Sequence, residues 1–169
     1  KIRVSHEWIY QYILKDKSQA GDLYTHLRFR KKRRKRYGSQ NRRGMIPNRV
    51  SIEKRPAVVD QRSRIGDWEI DTIIGAHHQG VLLSLVERKS RLCLIARLAN
   101  KSAQEVERTT INLLDSIKAK VHTVTSDNGK EFAKHESIAK NLDAQFFFAH
   151  PYASWERGLN ENTNGLIRQ

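Results

Sequence analysis

Three carboxylates in this chain have the types and spacing to do chemistry together. Val121-His122-Thr123-Val124-Thr125-Ser126 predicts a short β-branched strand, and Asp127-Asn128-Gly129 turns the chain out of it. Asp127 therefore falls at a strand's carboxyl end, where open α/β sheets collect their ligands. Thirty-three residues separate it from Glu161, inside residues 155–169, which predict a helix. Asp71 sits in an earlier strand-like run, Asp67-Trp68-Glu69-Ile70-Asp71-Thr72-Ile73-Ile74. Carboxylates on a strand, a strand end and a helix suit a divalent-cation site. The matching chemistry is phosphodiester cleavage or transfer, in which two Mg²⁺ ions about 3.5–4 Å apart activate the attacking oxygen and stabilise the leaving one. Mg²⁺ takes hard oxygen ligands and keeps several waters, so three carboxylates plus phosphate oxygens suffice. Without a cation the acids would repel, and at least one would hold a raised pKa. Zinc is not indicated, because the His residues are adjacent or scattered and Cys93 is the single cysteine.

Taken singly, each of these residues also has an ordinary reading. Asp before Asn-Gly is a common turn former. Glu161 alone would be a helix-surface charge. Asp inside a strand is disfavoured, so Asp71 must be partnered, exposed or metal-bound. Its rivals are Asp67, expected to face solvent at the strand's start, and Glu69, which shares the face of Asp71 one step back. Glu156, five residues before Glu161, matches its helical face poorly.

The segments Gly66-Asp67-Trp68-Glu69-Ile70-Asp71-Thr72-Ile73-Ile74-Gly75, Thr125-Ser126-Asp127-Asn128-Gly129 and Pro151-Tyr152-Ala153-Ser154-Trp155-Glu156-Arg157-Gly158-Leu159-Asn160-Glu161-Asn162 together resemble bacterial transposases of the insertion-sequence-thirty family. Val4-Ser5-His6-Glu7-Trp8-Ile9-Tyr10 and Arg43-Gly44-Met45-Ile46-Pro47-Asn48-Arg49-Val50-Ser51-Ile52 carry the same likeness, which thus covers nearly the whole chain. That family belongs to the class with an Asp, Asp, Glu triad on a ribonuclease-H-like, retroviral-integrase-like core. The resemblance implies Asp71, Asp127 and Glu161 as catalytic residues and ligands of Mg²⁺, with Mn²⁺ as a substitute. It also implies double-stranded DNA, both element ends and target, as the partner, and a homo-oligomer assembled on it. One departure is Ile70, where the family usually has Gly or another small residue; the triad assignment is unaffected. A bacterial, cytoplasmic, nucleoid-associated protein follows from the same likeness.

The charge is placed as such a partner requires. The chain of 169 residues carries +14, and residues 1–66 hold 19 Lys and Arg against 5 acids. Residues 67–169 hold 13 of each and are neutral. This asymmetry predicts a nucleic-acid-binding arm joined to a balanced globular domain. Its centre is Arg28-Phe29-Arg30-Lys31-Lys32-Arg33-Arg34-Lys35-Arg36, followed by Arg42 and Arg43, all expected on DNA phosphates. Such contacts give affinity and positioning but little sequence choice. A targeting signal or a merely solvated run is the competing reading. No long apolar run or signal peptide supports a membrane role.

The elements that must position the acids follow from periodicity. Ser5 predicts the cap of a helix over residues 6–14, with a shorter helical piece over 21–26. Residues 38–64 have a linker's composition, so a partial DNA-binding arm is expected over 1–65 and a catalytic core over 66–169. In the core, residues 67–74, 81–86 and 92–98 predict an antiparallel meander. Ser102 with Glu105 forms a capping box opening a helix striped by Val106, Ile111, Leu113, Leu114 and Ile117. The strand ending at Asp127 comes next, then a helix near 132–142, a strand over 144–148 and the helix of Glu161. The order β-β-β-α-β-α-β-α is that of an α/β, ribonuclease-H-like mixed sheet. Cys93, in an apolar strand, is expected to be a buried thiol.

Two functions follow. One is a transposase catalytic segment performing Mg²⁺-dependent DNA strand cleavage and strand transfer. The other is a truncated, catalytically inactive DNA-binding remnant of a transposase. The chain starts at Lys1 without Met and stops inside a helix, and the resemblance implies a helix-turn-helix region upstream and an extension downstream. A ribonuclease-H-type enzyme acting on RNA–DNA hybrids fits the Asp-to-Glu spacing less well.

Overall fold

A computed structural model describes residues 4–27, 46–75, 80–151 and 153–169. The chain divides into two compact units, 1–42 and 43–169. Arg28, Arg30, Lys31, Lys32, Arg33, Arg34, Lys35, Arg36, Arg42 and Arg43 lie outside the described residues.

In the first unit, helix α1 (His6–Ser18) begins where Ser5 accepts a hydrogen bond from the Trp8 amide at 3.1 Å. It runs one turn further than its apolar stripe suggests. Trp8 and Tyr12, four apart on one face, stack with centroids 5.5 Å apart. A short 3₁₀ turn, Leu23–His26, follows.

The second unit is built on one five-stranded sheet in the order β3-β2-β1-β4-β5. Its strands are β1 (Asp67–Ile74), β2 (Val81–Glu87), β3 (Cys93–Leu98), β4 (Thr123–Ser126) and β5 (Gln145–Phe148). The first three form the expected antiparallel meander, and β4 and β5 join β1 in parallel. This mixed sheet, with its helices inserted after β3, β4 and β5, is the ribonuclease-H-like α/β fold.

Alternation along β1 gives the sheet two unlike faces. Trp68 and Ile70 point into an apolar core with Leu83, Leu85, Val124, Phe146 and Phe148. Helices α3 (Ala103–Leu114) and α4 (His135–Leu142) cover that face through Val106, Leu114, Ile138 and Leu142. Only half of the capping box forms. Ser102 Oγ accepts from the Glu105 amide, while the Glu105 carboxylate turns to Arg108 and the Ala99 amide. The other face presents Asp67, Glu69 and Asp71. It is covered by α5 (Gly158–Ile167) and by residues 55–60 around α2 (Ala57–Gln61).

Three sequence expectations change here. Residues 46–65, read as linker, pack on the domain: Ile46, Ile52 and Val59 are buried, and Ser51 bridges Phe148 as an added parallel partner at the β5 edge. The compact unit that holds the sheet spans residues 43–169. Asp67, expected in solvent, is 1% exposed, because Arg64 grips both of its oxygens at 2.9 Å and Thr123 Oγ1 donates to one. Cys93 is half-buried rather than buried, since β3 is an edge strand; burial still pushes its thiol above its ordinary range.

Gly66 sets the entry to β1. Its φ of +109° and a Cβ position 1.8 Å from the Lys120 carbonyl oxygen exclude any side chain. That close approach lets the Gly66 carbonyl accept from the His122 amide at 2.8 Å, fixing β1 beside the chain that enters β4.

Candidate functional site

Strand register brings two of the three acids together. The parallel β1–β4 ladder pairs Asp67 with Thr123 and Glu69 with Thr125. β4 closes at Ser126, so Asp127 is the first residue past the strand, while Asp71 lies two residues beyond Glu69 on β1. Both side chains emerge on the sheet's polar face at the carboxyl end of β4. Asp71 Oδ2 lies 3.5 Å from Arg157 Nη1, and Asp127 Oδ2 lies 3.6 Å from Arg157 Nη2. One guanidinium therefore stands between two carboxylates, with side-chain exposures of 25% for Asp71 and 44% for Asp127.

Each carboxylate is oriented by its own bonds. The Gly129 amide donates to Asp127 Oδ1 at 2.8 Å, so the Asn-Gly turn both ends the strand and aims the acid. Asn128 is held in turn, donating to the Ala149 carbonyl at 2.6 Å and accepting from the exposed Arg49. Asp71 accepts from the Thr72 amide at 2.8 Å and from Asn164 Nδ2, on α5, at 3.0 Å. Ser84 Oγ, directly across the β1–β2 ladder, donates to Asn164 Oδ1 at 2.7 Å. Burial pushes the Asp71 carboxyl above its ordinary range; Arg157 opposes this, and Asp127 and Glu131 add to it. Glu131 reaches the same corner by accepting from Thr72 Oγ1 at 3.0 Å and pairing with Lys101 at 2.8 Å.

Glu69 does not join the acids; it anchors the helix that carries the third one. Its side chain is wholly buried, with Arg88 Nη1 donating to Oε1 at 2.6 Å and the Asn160 amide to Oε2 at 2.8 Å. Arg88 also donates from Nε to the Val59 carbonyl at 3.1 Å, and its Nη2 lies 3.5 Å from Asp60. A carboxylate taking an amide in the first turn of a helix completes bonds that the helix cannot make itself. The network thus ties β1, the end of β2, α2 and the start of α5 into one frame.

Glu161 lies on α5, next to Asn160, and is half-buried. It precedes Asn164 by three residues, so these two share one flank of the helix, and Arg157 stands immediately before the first turn. Among the described residues no group of three His, Cys, Asp or Glu lies close enough to hold a metal ion. Asp71 and Asp127 are brought together, and the Glu161 carboxylate does not complete a group of three with them. The donor set nonetheless fits a hard divalent cation. It offers carboxylate oxygens only, two of them share a single guanidinium, and the nearest α5 side chains are polar.

Sequence reasoning assigned no role to Arg157, Asn160 and Asn164. On the loop before α5, His150 Nδ1 lies 2.8 Å from Glu156, which holds the imidazole above its ordinary range, and Nε2 lies 3.2 Å from Glu53. Trp155 is 76% exposed.

Residues 61–154, more than half of the chain, match the family described as Integrase core domain. The chain belongs to that family. A transposase for insertion sequence element IS4351 from Bacteroides fragilis is 50% identical over 167 residues, covering 98% of this chain and 51% of the relative. Transposase InsI for insertion sequence element IS30A from Escherichia coli (strain K12) is 32% identical over 178 residues, covering 99% of this chain and 45% of the relative. Both agree with the insertion-sequence-thirty resemblance carried by the motifs. The chain spans about half the length of these curated relatives. The catalytic core domain of BIV integrase superposes with a TM-score of 0.44 at 23% identity, over 56% of this chain and 61% of that one. Among the described residues no helix is long and apolar enough to cross a membrane.

Proposed function

We propose that the chain is the catalytic segment of a DNA transposase, with Asp71, Asp127 and Glu161 holding a divalent cation, Mg²⁺ or Mn²⁺. Double-stranded DNA is its partner, with the cations at 28–43 supplying phosphate contacts and a homo-oligomer forming on the DNA. The observation that carries this reading is the meeting of Asp71 and Asp127 around one guanidinium, just past the carboxyl end of β4.

A bound cation would supply Lewis-acid stabilisation of charge on the attacking and leaving oxygens of a phosphodiester. The chain's own residues supply geometry. Asn164 and the Thr72 amide fix the two oxygens of Asp71, and the Gly129 amide fixes one oxygen of Asp127. The Glu69–Arg88 pair holds the first turn of α5 on β1, which sets where Glu161 stands. Lys101, Lys130 and Arg49 are exposed cations on segments bordering the site, suited to the DNA backbone.

The test is an assay with end-labelled duplex DNA, with and without Mg²⁺, comparing the wild-type chain with Asp127→Asn. Mg²⁺-dependent nicking or strand transfer that disappears in the variant, with DNA affinity retained, is expected. DNA binding indifferent to Mg²⁺ and without cleavage would assign the chain to the binding-remnant reading instead.

A further inference from the structure

We propose that Arg157 is an exchangeable internal counterion: its guanidinium keeps the seat between Asp71 and Asp127 while no cation is bound, and divalent-cation binding displaces it. This rests on the reading of Asp71 and Asp127 as cation ligands.

Two arginines on the same sheet face show the contrast. Arg88 is a fixed structural partner. Its Nη1 reaches Glu69 at 2.6 Å, its Nε reaches the Val59 carbonyl at 3.1 Å, and its side chain is 6% exposed. Arg157 is nearly as buried, at 11%, yet its contacts to both carboxylates are 3.5 and 3.6 Å. Charge-assisted bonds normally close to about 2.7–2.9 Å. Its Nη1 donates to the Ile70 carbonyl at 3.2 Å, and its Nε is buried with no hydrogen-bond partner. A guanidinium with an orphaned donor and loose ion pairs is retained by the charge it neutralises rather than by the quality of its bonds. A small cation with direct oxygen contacts would neutralise the same pair better.

The local backbone permits the exchange. Arg157 stands at the junction between a 3₁₀ turn, Ser154–Arg157, and α5, with φ −121° and ψ 38°, outside helical geometry. Gly158 follows it, and a Cβ there would meet nothing within 4 Å. Because Arg157 precedes α5, its side chain can leave without unwinding the helix, whose first turn Glu69 holds. Arg157 immediately precedes the helix that carries Glu161, and its departure opens the space between the two aspartates to the third carboxylate. The three-acid site then assembles on cation binding rather than before it.

The experiment titrates MnCl₂ into the DNA-free chain by calorimetry, for wild type, Arg157→Gln, Arg157→Lys and Asp127→Asn. Removing a competing cation from the seat should tighten Mn²⁺ binding about three- to tenfold in Arg157→Gln, with Arg157→Lys closer to wild type. The Mn²⁺-induced rise in Tm should also be larger in Arg157→Gln than in wild type. Equal or weaker Mn²⁺ binding by Arg157→Gln, while Asp127→Asn loses it, would overturn the exchange and leave the carboxylate site standing. Unchanged binding in Asp127→Asn would instead overturn the carboxylate site itself. Should Arg157→Gln not fold, arginine ¹⁵Nε spectra of wild type decide: on adding MgCl₂ the Arg157 Nε–H should begin rapid exchange with water while Arg88 stays protected. An Arg157 signal that stays protected at saturating MgCl₂ would refute the exchange.

Discussion

Replacing Glu69 by Gln tests whether the frame under α5 is held by a buried charge pair. Both oxygens of Glu69 are used, one by Arg88 Nη1 at 2.6 Å and one by the Asn160 amide at 2.8 Å. Gln keeps a single acceptor, so one of these bonds is lost and an NH₂ faces a donor. Arg88 would retain the Val59 carbonyl and the largely exposed Asp60, a weak counterion at 3.5 Å. Breaking a buried pair typically costs about 3–5 kcal/mol, and the retained partners place this case near the lower end, ~3 kcal/mol. Against a total stability on the order of 5–15 kcal/mol, that is a large share. For a unit of this size it lowers Tm by roughly 10 °C. Differential scanning calorimetry of Glu69→Gln, Arg88→Met and the double variant measures it. The double variant should be less destabilised than the two single variants added together, because it leaves no lone buried charge. A single-variant shift below roughly 2 °C, or simple additivity, would refute the argument that this pair holds the frame.

Two further expectations concern charge. Burial pulls the Glu87 carboxyl up, but hydrogen bonds from Ser90 Oγ and from the Ser90, Gly66 and Lys89 amides outweigh it and hold it below its ordinary range. A depressed folded-state pKa stabilises fully above the unfolded carboxylate value, and that stability is lost as pH falls through the folded value. Glu87→Gln should therefore melt below wild type at neutral pH, with the gap closing on acidification; a gap independent of pH would contradict this. Residues 28–43 contain ten Lys and Arg and no acid. If about six of them neutralise phosphates, log K should fall with log salt at a slope near −5, and deleting the segment should flatten that slope. An unchanged slope would mean that other cations carry the binding.

The parts of the fold that were legible in sequence are those set by local patterns. Alternation in residues 67–74 marked β1 at its observed bounds, and Ser5 and Ser102 marked the starts of α1 and α3. Boundaries slipped where tertiary contacts decide them. Val121 and His122 read as strand, yet β4 opens at Thr123, because the preceding residues are spent on the close approach to Gly66. The helix of Glu161 opens at Gly158 rather than Trp155, after a 3₁₀ turn. Residues 46–65 were misread since Ile46, Ile52 and Val59 show no period, although all three are buried. At the site, Asp127 was legible through its turn chemistry and Asp71 through an acid out of place in a strand. Arg157 was not, because a buried arginine is recognised by the two carboxylates it faces, which lie 86 and 30 positions away in sequence. The asparagines of α5 were opaque for the same reason: Ser84, Asp71 and Glu69 give them their roles.

The most direct measurement is anomalous diffraction from crystals of the chain soaked in MnCl₂. A Mn²⁺ peak coordinated by carboxylate oxygens of Asp71, Asp127 and Glu161 at about 2.0–2.3 Å is expected, with the Arg157 guanidinium moved out from between the two aspartates. A peak that excludes Glu161 or either aspartate, or no peak between them at saturating Mn²⁺, would contradict the claim that these three acids form one cation site.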